Sequence, residues 1–220
     1  MRDNMKNDKA INFNVASFPA RKESLRMVID SIYHQAKNIH VHLNNYASIP
    51  TFLKLKKIKI TQSSLTGDLG DLGKFSRTLK QKGYIFTIDD DIFYPTDYAQ
   101  VMIQEIERLK REAFICVHAN MIQKIPVQSY YKEKIGLHFT KELLHAQKAH
   151  IPGTGTMAYH SQLIQLGHVP LQYKNMSDLW LAMIAKKKNI PVWVVARDDK
   201  WLRCIQQKGA ESIYDRYHLS

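Results

Sequence analysis

Strand-like and helix-like segments alternate along this 220-residue chain. Residues 11–18 alternate apolar and polar side chains, the period of a strand, and residues 21–37 place apolar side chains at helical spacing. Further strands are predicted at 39–43, 57–61, 84–88, 113–117, 156–159 and 192–196, and further helices at about 74–82, 97–111 and 175–188. This alternation predicts the α/β class, with a mostly parallel sheet and helices on both faces.

Two segments give less regular patterns. Residues 119–156 are polar and aromatic without a clear period, and we expect them to be irregular. In the predicted helix at 175–188, the expected apolar stripe consists of Met176, Leu179, Trp180, Met183 and Ile184.

No linker or repeat divides the chain, so residues 1–220 are predicted to form a single domain. Hydrophobic residues make up 45% and charged residues 24%, which excludes a disordered chain. The longest uncharged apolar run, 190–196, is far shorter than the roughly 20 residues of a membrane-spanning helix. The first residues lack a signal-peptide stretch, and the two cysteines cannot form a disulfide framework. We therefore expect a cytoplasmic protein.

Three consecutive carboxylates, Asp89–Asp91, follow the apolar strand at 84–88. Ligands of parallel sheets bind beyond the carboxyl ends of the strands, so this acidic group falls where a ligand is expected. Like charges this close repel each other, and a divalent cation would remove the repulsion. Hard carboxylate oxygens suit Mg²⁺ or Mn²⁺, which would keep open positions for the phosphates of a ligand. The alternative is a solvated acidic turn before a helix.

The segment 67–74 is rich in glycine and ends in Lys74. Glycine permits close backbone approach to a ligand, and a lysine at the start of a helix can face a phosphate. The segment matches neither the P-loop nor the dinucleotide-binding pattern, and an ordinary loop before a helix is the alternative.

A single carboxylate, Asp178, lies in the first turn of the predicted helix at 175–188, which Asn175 or Ser177 can cap. The positive end of a helix favours the ionised carboxylate that a general base requires, although such a residue also simply stabilises a helix. The preceding Gly153-Thr-Gly155 loop either lets a sugar approach the backbone or forms a plain turn.

Histidines give weaker signals. His40 and His42 share one face of a predicted strand, but no third metal ligand is evident, so structural roles are favoured. His118 and His160 each follow an apolar strand, which would allow both to reach the ligand edge of the sheet.

The order of the motifs resembles bacterial glycosyltransferases of the GT-A fold, close to family 2. The motifs are VASFPAR at 15–21, GDLGDLGKF at 67–75, FTIDDDIFYPTDY at 86–98, GTGT at 153–156 and NMSDLW at 175–180. The resemblance spans about 11–203 and implies a nucleotide-sugar half at about 11–118 and an acceptor half at about 119–203.

This resemblance implies inverting transfer of a sugar from a nucleotide-diphosphate donor, a UDP-sugar in particular, to a glycan or lipid-linked acceptor in bacterial surface polysaccharide synthesis. It implies Mn²⁺ or Mg²⁺ bound by Asp91 and Asp89, and Asp178 as the catalytic base. The donor-binding residues it implies are Arg21, Asn44, Asp71, Lys74, Asp89 and Asp90. This chain departs from the family at three places. The first strand ends in SFPAR at 17–21 in place of an apolar-Pro-x-Tyr-Asn type, Ser177 replaces the common Glu, and Asn44-Asn45 replace an acidic residue after the second strand.

The chain carries 32 Lys and Arg against 20 Asp and Glu, a formal charge of +12. Such an excess points to phosphates, nucleic acid or an anionic membrane. No nucleic-acid-binding motif accompanies it, so we expect no nucleic acid and a peripheral contact with the inner membrane face. Two alternatives stay open: a sugar-phosphate nucleotidyltransferase, which usually has a Gly-rich basic signature near its first strand, and a non-catalytic basic nucleic-acid-binding protein.

Overall fold

The computed structural model describes residues 8–129, 132–166 and 174–205. Its strands are β1 Ile11–Ser17, β2 Asn38–Leu43, β3 Ile58–Gln62, β4 Tyr84–Ile88, β5 Ile92–Phe93, β6 Phe114–Cys116, β7 Ala119–Ile122, β8 Lys134–Leu137, β9 Gln147–Ala149, β10 Ile151–Pro152, β11 Thr156–His160, β12 Val192–Val194 and β13 Arg203–Cys204. Its α-helices are α1 Lys22–Ile32, α2 Ser63–Thr66, α3 Tyr98–Arg108 and α4 Ser177–Lys187, and its 3-10 helices are Pro19–Arg21, Thr51–Leu53, Gly70–Phe75 and Thr78–Lys80. In these ranges no helix is both long enough and apolar enough to cross a lipid bilayer.

Eight strands form the main sheet, in the order β3-β2-β1-β4-β11-β6-β12-β9. The first four are parallel to one another, and β12 is parallel to β6. Strand β11 runs antiparallel between β4 and β6, and β9 is antiparallel to β12 at the edge. The predicted mostly parallel sheet is therefore confirmed, with two reversed strands that the alternation of elements did not reveal.

The reversed strand β11 determines where the loops meet. Thr156, its first residue, lies opposite Ile88, the last residue of β4. The segment before β11, residues 153–155, therefore reaches the same edge of the sheet as the acidic residues that follow β4.

Helices cover both faces of the sheet, as predicted. On one face, α1 and α3 pack against alternate residues of the central strands, such as Phe13 and Phe86. On the other face, α4 and the 3-10 helix Gly70–Phe75 pack against a second cluster that includes Ile85 and Met157.

The predicted apolar stripe of α4 is correct only in part: Trp180 and Ile184 are partly buried against the second core cluster. The buried positions are Ser177, Leu181 and Ala185, whereas Met183 is 61% exposed. The buried residues follow the i, i+4, i+8 spacing of one helix face, and Ser177 is fixed by hydrogen bonds to Asp71 from outside the helix. Those tertiary contacts, rather than hydropathy, set the rotation of the helix.

Two other local predictions fail. The segment at 74–82 is not a continuous helix: it holds the end of the 3-10 helix Gly70–Phe75 and the 3-10 turn Thr78–Lys80, after which the backbone of Gln81 is extended. The expectation that residues 119–156 are irregular is wrong in part, because the described residues in this range include four short strands. Strands β7, β8 and β10 form a three-stranded antiparallel sheet, and their two to four residues are too few to establish a hydrophobic period.

Candidate active site

The acidic segment Asp89–Asp91 directly follows β4 at the carboxyl edge of the sheet. The buried hydroxyl of Tyr94 ties this strand end to the loop before β11. It accepts a hydrogen bond from the Asp89 amide at 2.9 Å and donates one to the Gly155 carbonyl oxygen at 2.5 Å. The acidic segment and the 153–155 loop are thereby held together by the Tyr94 side chain as well as by strand pairing.

The Asp89 carboxylate forms an ion pair with Lys74, whose side chain comes from the 3-10 helix Gly70–Phe75. Lys74 is only 3% exposed. Burial lowers the pKa of its ammonium group, but the charges of Asp89, Asp71 and Asp178 outweigh burial, so the pKa is raised. The lysine is therefore a buried permanent cation at the centre of the site.

The Asp91 carboxylate forms an ion pair with Arg21, which ends the 3-10 turn after β1 and is 7% exposed. Burial and the neighbouring charge of Asp89 raise the pKa of Asp91, and Arg21 opposes that rise. The side chains of Asp89 and Asp91 are both partly exposed. Lys74 and Arg21 thus offset the repulsion between Asp89 and Asp91. From the sequence alone, we expected a bound divalent cation to do so.

The middle carboxylate, Asp90, is buried, with 8% of its surface exposed. Its Oδ2 atom has no hydrogen-bond partner among the residues that the structure describes. Burial raises the pKa of Asp90 to about 7, although a hydrogen bond from Ser17 opposes the shift. Asp90 therefore differs from its neighbours, because it is directed toward the ends of β1 and β2 rather than paired with a cation.

The carboxylate of Asp178 lies at the start of α4 and is held by the 153–155 loop. Its Oδ1 atom accepts hydrogen bonds from the amide of Thr154 at 2.8 Å and from the Thr154 hydroxyl at 2.6 Å. Burial raises the pKa of Asp178, while these hydrogen bonds and the charge of Lys74 oppose the rise. Because Gly155 lies against Asp89, two consecutive loop residues, Thr154 and Gly155, bring Asp178 and Asp89 close together.

The side chains of Asp71 and Asn44 both hold the glycine-rich loop. Asp71 accepts hydrogen bonds from the amides of Asn175 at 2.7 Å and Ser177 at 3.0 Å, and a further one from the Ser177 hydroxyl. Asn44 donates to the Gly70 carbonyl at 2.9 Å and accepts from the Leu69 amide at 3.0 Å. Both residues border the site, and the contacts they make here position the loop and α4.

The histidines divide into three groups. His40 and His42 both contact the Thr61 hydroxyl, at 3.1 and 2.8 Å, in the structural role that we predicted. His118 lies next to Gly153 near the site, where burial lowers its pKa to about 4. The expectation that His160 reaches the ligand edge is wrong: β11 is antiparallel, so His160 lies opposite Tyr84 at the other edge.

Sequence reasoning missed two residues that build the site, Thr154 and Tyr94. Thr154 lies between the two glycines of a segment that the motifs did include, and its position before a short strand was the available signal. Tyr94 follows the acidic segment by three residues, and its hydrogen bonds to a loop 61 residues away have no signature in the sequence.

No family model matches this chain, and no curated protein is similar to it. Among solved structures, the chain is similar to the galactosyltransferase LgtC, whose structure contains donor and acceptor sugar analogs. The two are 12% identical with a TM-score of 0.41, and the match covers 81% of this chain and 65% of that one, less than two thirds of its length. A likeness this distant carries no argument about activity.

Proposed function

We propose that this chain is a GT-A-type glycosyltransferase that moves a sugar from a nucleotide-diphosphate donor to an acceptor hydroxyl with inversion at the anomeric carbon. One observation carries the proposal: the 153–155 loop brings the Asp178 carboxylate next to the Asp89–Lys74 pair at the carboxyl edge of the sheet. A base and a buried cation are thus adjacent where ligands of such sheets bind. The motif order in the sequence is consistent with the same activity.

Asp178 is the proposed catalytic base. Thr154 fixes its Oδ1 atom through two hydrogen bonds. A raised pKa makes an ionised carboxylate a stronger proton acceptor. In the proposed step, Asp178 takes the proton of the acceptor hydroxyl while the oxygen of that hydroxyl bonds to the anomeric carbon of the sugar. The bond between the sugar and the diphosphate breaks, and its electron pair leaves with the diphosphate.

Lys74 and Arg21 are the proposed partners of the diphosphate. Both are buried cations whose pKa values are raised by surrounding carboxylates, so both stay charged at neutral pH. Fixed positive charge near a leaving group stabilises the negative charge that develops there, and does so most strongly away from bulk water. Asp71 and Asn44 would act by holding the loop that carries Lys74.

The residues present fit a divalent cation that is shared with a phosphate ligand. Within the described ranges, no three His, Cys, Asp or Glu side chains form a group arranged to hold a metal ion alone. Asp89 and Asp91 are nevertheless two partly exposed, mutually repelling carboxylates, and Mg²⁺ commonly takes only one or two carboxylates when phosphates supply other ligands. When bound there, Mn²⁺ or Mg²⁺ would offset charge on the departing diphosphate.

The remaining assignments follow the motif resemblance. We propose a UDP-sugar as donor, bound by the half at about 11–118, and a glycan or lipid-linked acceptor bound by the half at about 119–203. Surface polysaccharide synthesis at the inner membrane face is the proposed setting, and the charge of +12 favours an anionic surface there.

Substitution of the base tests this function. Asp178→Asn keeps the oxygen that Thr154 contacts but cannot accept the proton, so sugar transfer should fall by about 10²- to 10⁴-fold. Affinity for the nucleotide diphosphate should stay within a few fold. The matched control is Asp30→Asn, which changes an exposed aspartate on α1 and should leave transfer unchanged. Transfer of labelled sugar from a panel of nucleotide sugars is the assay, and full activity of Asp178→Asn would refute the assigned base.

A further inference from the structure

A second concave site lies on the sheet away from the acidic residues. It is a cavity of about 230 Å³, and it opens where β1 and β2 begin. Its walls come from the first strands and from the segment between the 3-10 turn at Thr78–Lys80 and β4. The lining residues are Ala10, Asn12, Asn38, Ile39, His40, Lys59, Arg77, Lys80, Gln81 and Lys82.

Four of the lining residues are cations: Lys59, Arg77, Lys80 and Lys82. In the part of the chain that the structure describes, none of the four forms an ion pair, and no Asp or Glu lines the cavity. All four are exposed, whereas the buried cations of the candidate active site, Lys74 and Arg21, are paired with carboxylates. Four unpaired positive charges around a concavity focus a positive potential into it.

The inner wall carries an unsatisfied polar group. His40 is 3% exposed, and its Nε2 atom contacts the Thr61 hydroxyl at 3.1 Å. Its buried Nδ1 atom has no hydrogen-bond partner among the described residues. Burial, followed by the charges of Arg77, His42 and Lys59, lowers the pKa of His40 to about 3, which places Arg77 and Lys59 close to the ring. A buried polar atom without a partner is uncommon and marks a place where a ligand or water is expected.

We propose that this basic cleft binds a small ligand that carries a phosphate or diphosphate group. Four cations and an unsatisfied imidazole nitrogen suit an anion with more than one negative charge, because each phosphate oxygen accepts charge-assisted hydrogen bonds. The volume is below the roughly 300–1,000 Å³ of sites for drug-sized ligands, so the cleft accommodates a phosphorylated head group or a small phosphate compound rather than a complete nucleotide sugar.

The basic cleft is separate from the candidate active site. Its strand residues, such as Asn12 and Asn38, lie at the amino ends of parallel strands whose carboxyl ends carry Ser17 and Asn44. Neither Lys74 nor any residue of the Asp89–Asp91 segment lines it. The proposed phosphate binding in the cleft can therefore be tested independently of the proposed sugar transfer.

Two double charge reversals of equal net change test the site. Arg77→Glu with Lys80→Glu reverses two exposed cations of the cleft, and Lys186→Glu with Lys187→Glu reverses two exposed cations at the end of α4 that do not line it. Binding of inorganic pyrophosphate is measured by calorimetry without divalent metal at low salt. The cleft variant should bind at least about tenfold more weakly than wild type, whereas the α4 variant should change less than about threefold.

Vesicle flotation then separates the two sources of phosphate. Recruitment of the wild type to vesicles with anionic phospholipid, lost in the cleft variant alone, identifies a lipid head group. Pyrophosphate binding without recruitment identifies a free phosphate compound. A ring signal of His40, assigned by its loss in His40→Gln, should shift on pyrophosphate addition.

Three results would overturn the proposal. The first is that the wild type does not bind pyrophosphate, and the second is that both double variants lose the same amount of affinity. The third is that the cleft variant binds as tightly as the wild type, which is expected if pyrophosphate binds only beside Lys74 and Arg21.

Discussion

Replacing Gly155 with alanine tests how closely the 153–155 loop packs on the acidic segment. A Cβ atom at Gly155 would overlap the Asp89 carboxylate, and even the farther oxygen, Oδ1, would be 2.8 Å away. The φ angle of Gly155 lies outside the left-handed region, so the backbone itself accepts an L residue and the cost comes from the overlap. The carboxylate must swing away, which separates it from the buried Lys74.

The expected destabilisation combines two terms. Forcing a methyl group into an occupied space costs about 1–3 kcal/mol. Because the Asp89 side chain is 42% exposed, weakening its ion pair with Lys74 adds at most about 1 kcal/mol, so we expect about 1–4 kcal/mol in total. Urea unfolding monitored by circular dichroism measures it. The matched control is Gly136→Ala, where the nearest atom to the new Cβ is Asn120 Oδ1 at 3.5 Å, an ordinary contact, and φ again lies outside the left-handed region. Its stability should change by less than about 1 kcal/mol.

A double-mutant cycle decides whether Asp89 is the cause. In an Asp89→Ala background the overlapping carboxylate is gone, so Gly155→Ala should cost less than about 0.5 kcal/mol. An undiminished cost in that background would refute the reasoning, because the strain would then arise elsewhere in the loop.

Two further predictions concern stability. Asp71→Ala removes three hydrogen bonds to the residues that begin α4 and should cost about 1–2 kcal/mol in urea unfolding, and an unchanged midpoint would show that these bonds do not anchor the helix. Because the pKa of His40 falls to about 3 on folding from its ordinary 6.5, its neutral form stabilises the fold above pH 6.5, and this contribution is lost as the pH falls toward 3. Between pH 6.5 and 5 that loss is about 2 kcal/mol, so His40→Gln should flatten the acid side of the stability profile by about that amount, whereas an identical slope would refute the assignment.

The central part of the fold could be predicted because its signals are local. An apolar five-residue strand followed by three carboxylates predicts both β4 and an acidic group at the sheet edge, and the structure has both. The period of α1 likewise reflects one buried face, which includes Leu25, Val28 and Ile32.

The arrangement around the carboxylates could not be predicted in this way. The direction of β11 depends on pairing with strands far away in the chain, and it decides that Gly155 approaches the site while His160 does not. The partners of Asp89 and Asp91 come from residues 15 and 70 positions earlier, so the sequence suggested a metal as the source of positive charge and did not reveal the pairs with Lys74 and Arg21.

Binding of UDP with and without Mn²⁺, measured by calorimetry on the full chain, tests the proposed activity most directly. The account predicts that UDP binds, that Mn²⁺ increases its affinity at least about tenfold, and that Asp91→Asn removes this increase while Asp30→Asn does not. If neither UDP nor any other nucleoside diphosphate binds in the presence of Mn²⁺ or Mg²⁺, the acidic edge is not a donor site and the proposed function is wrong.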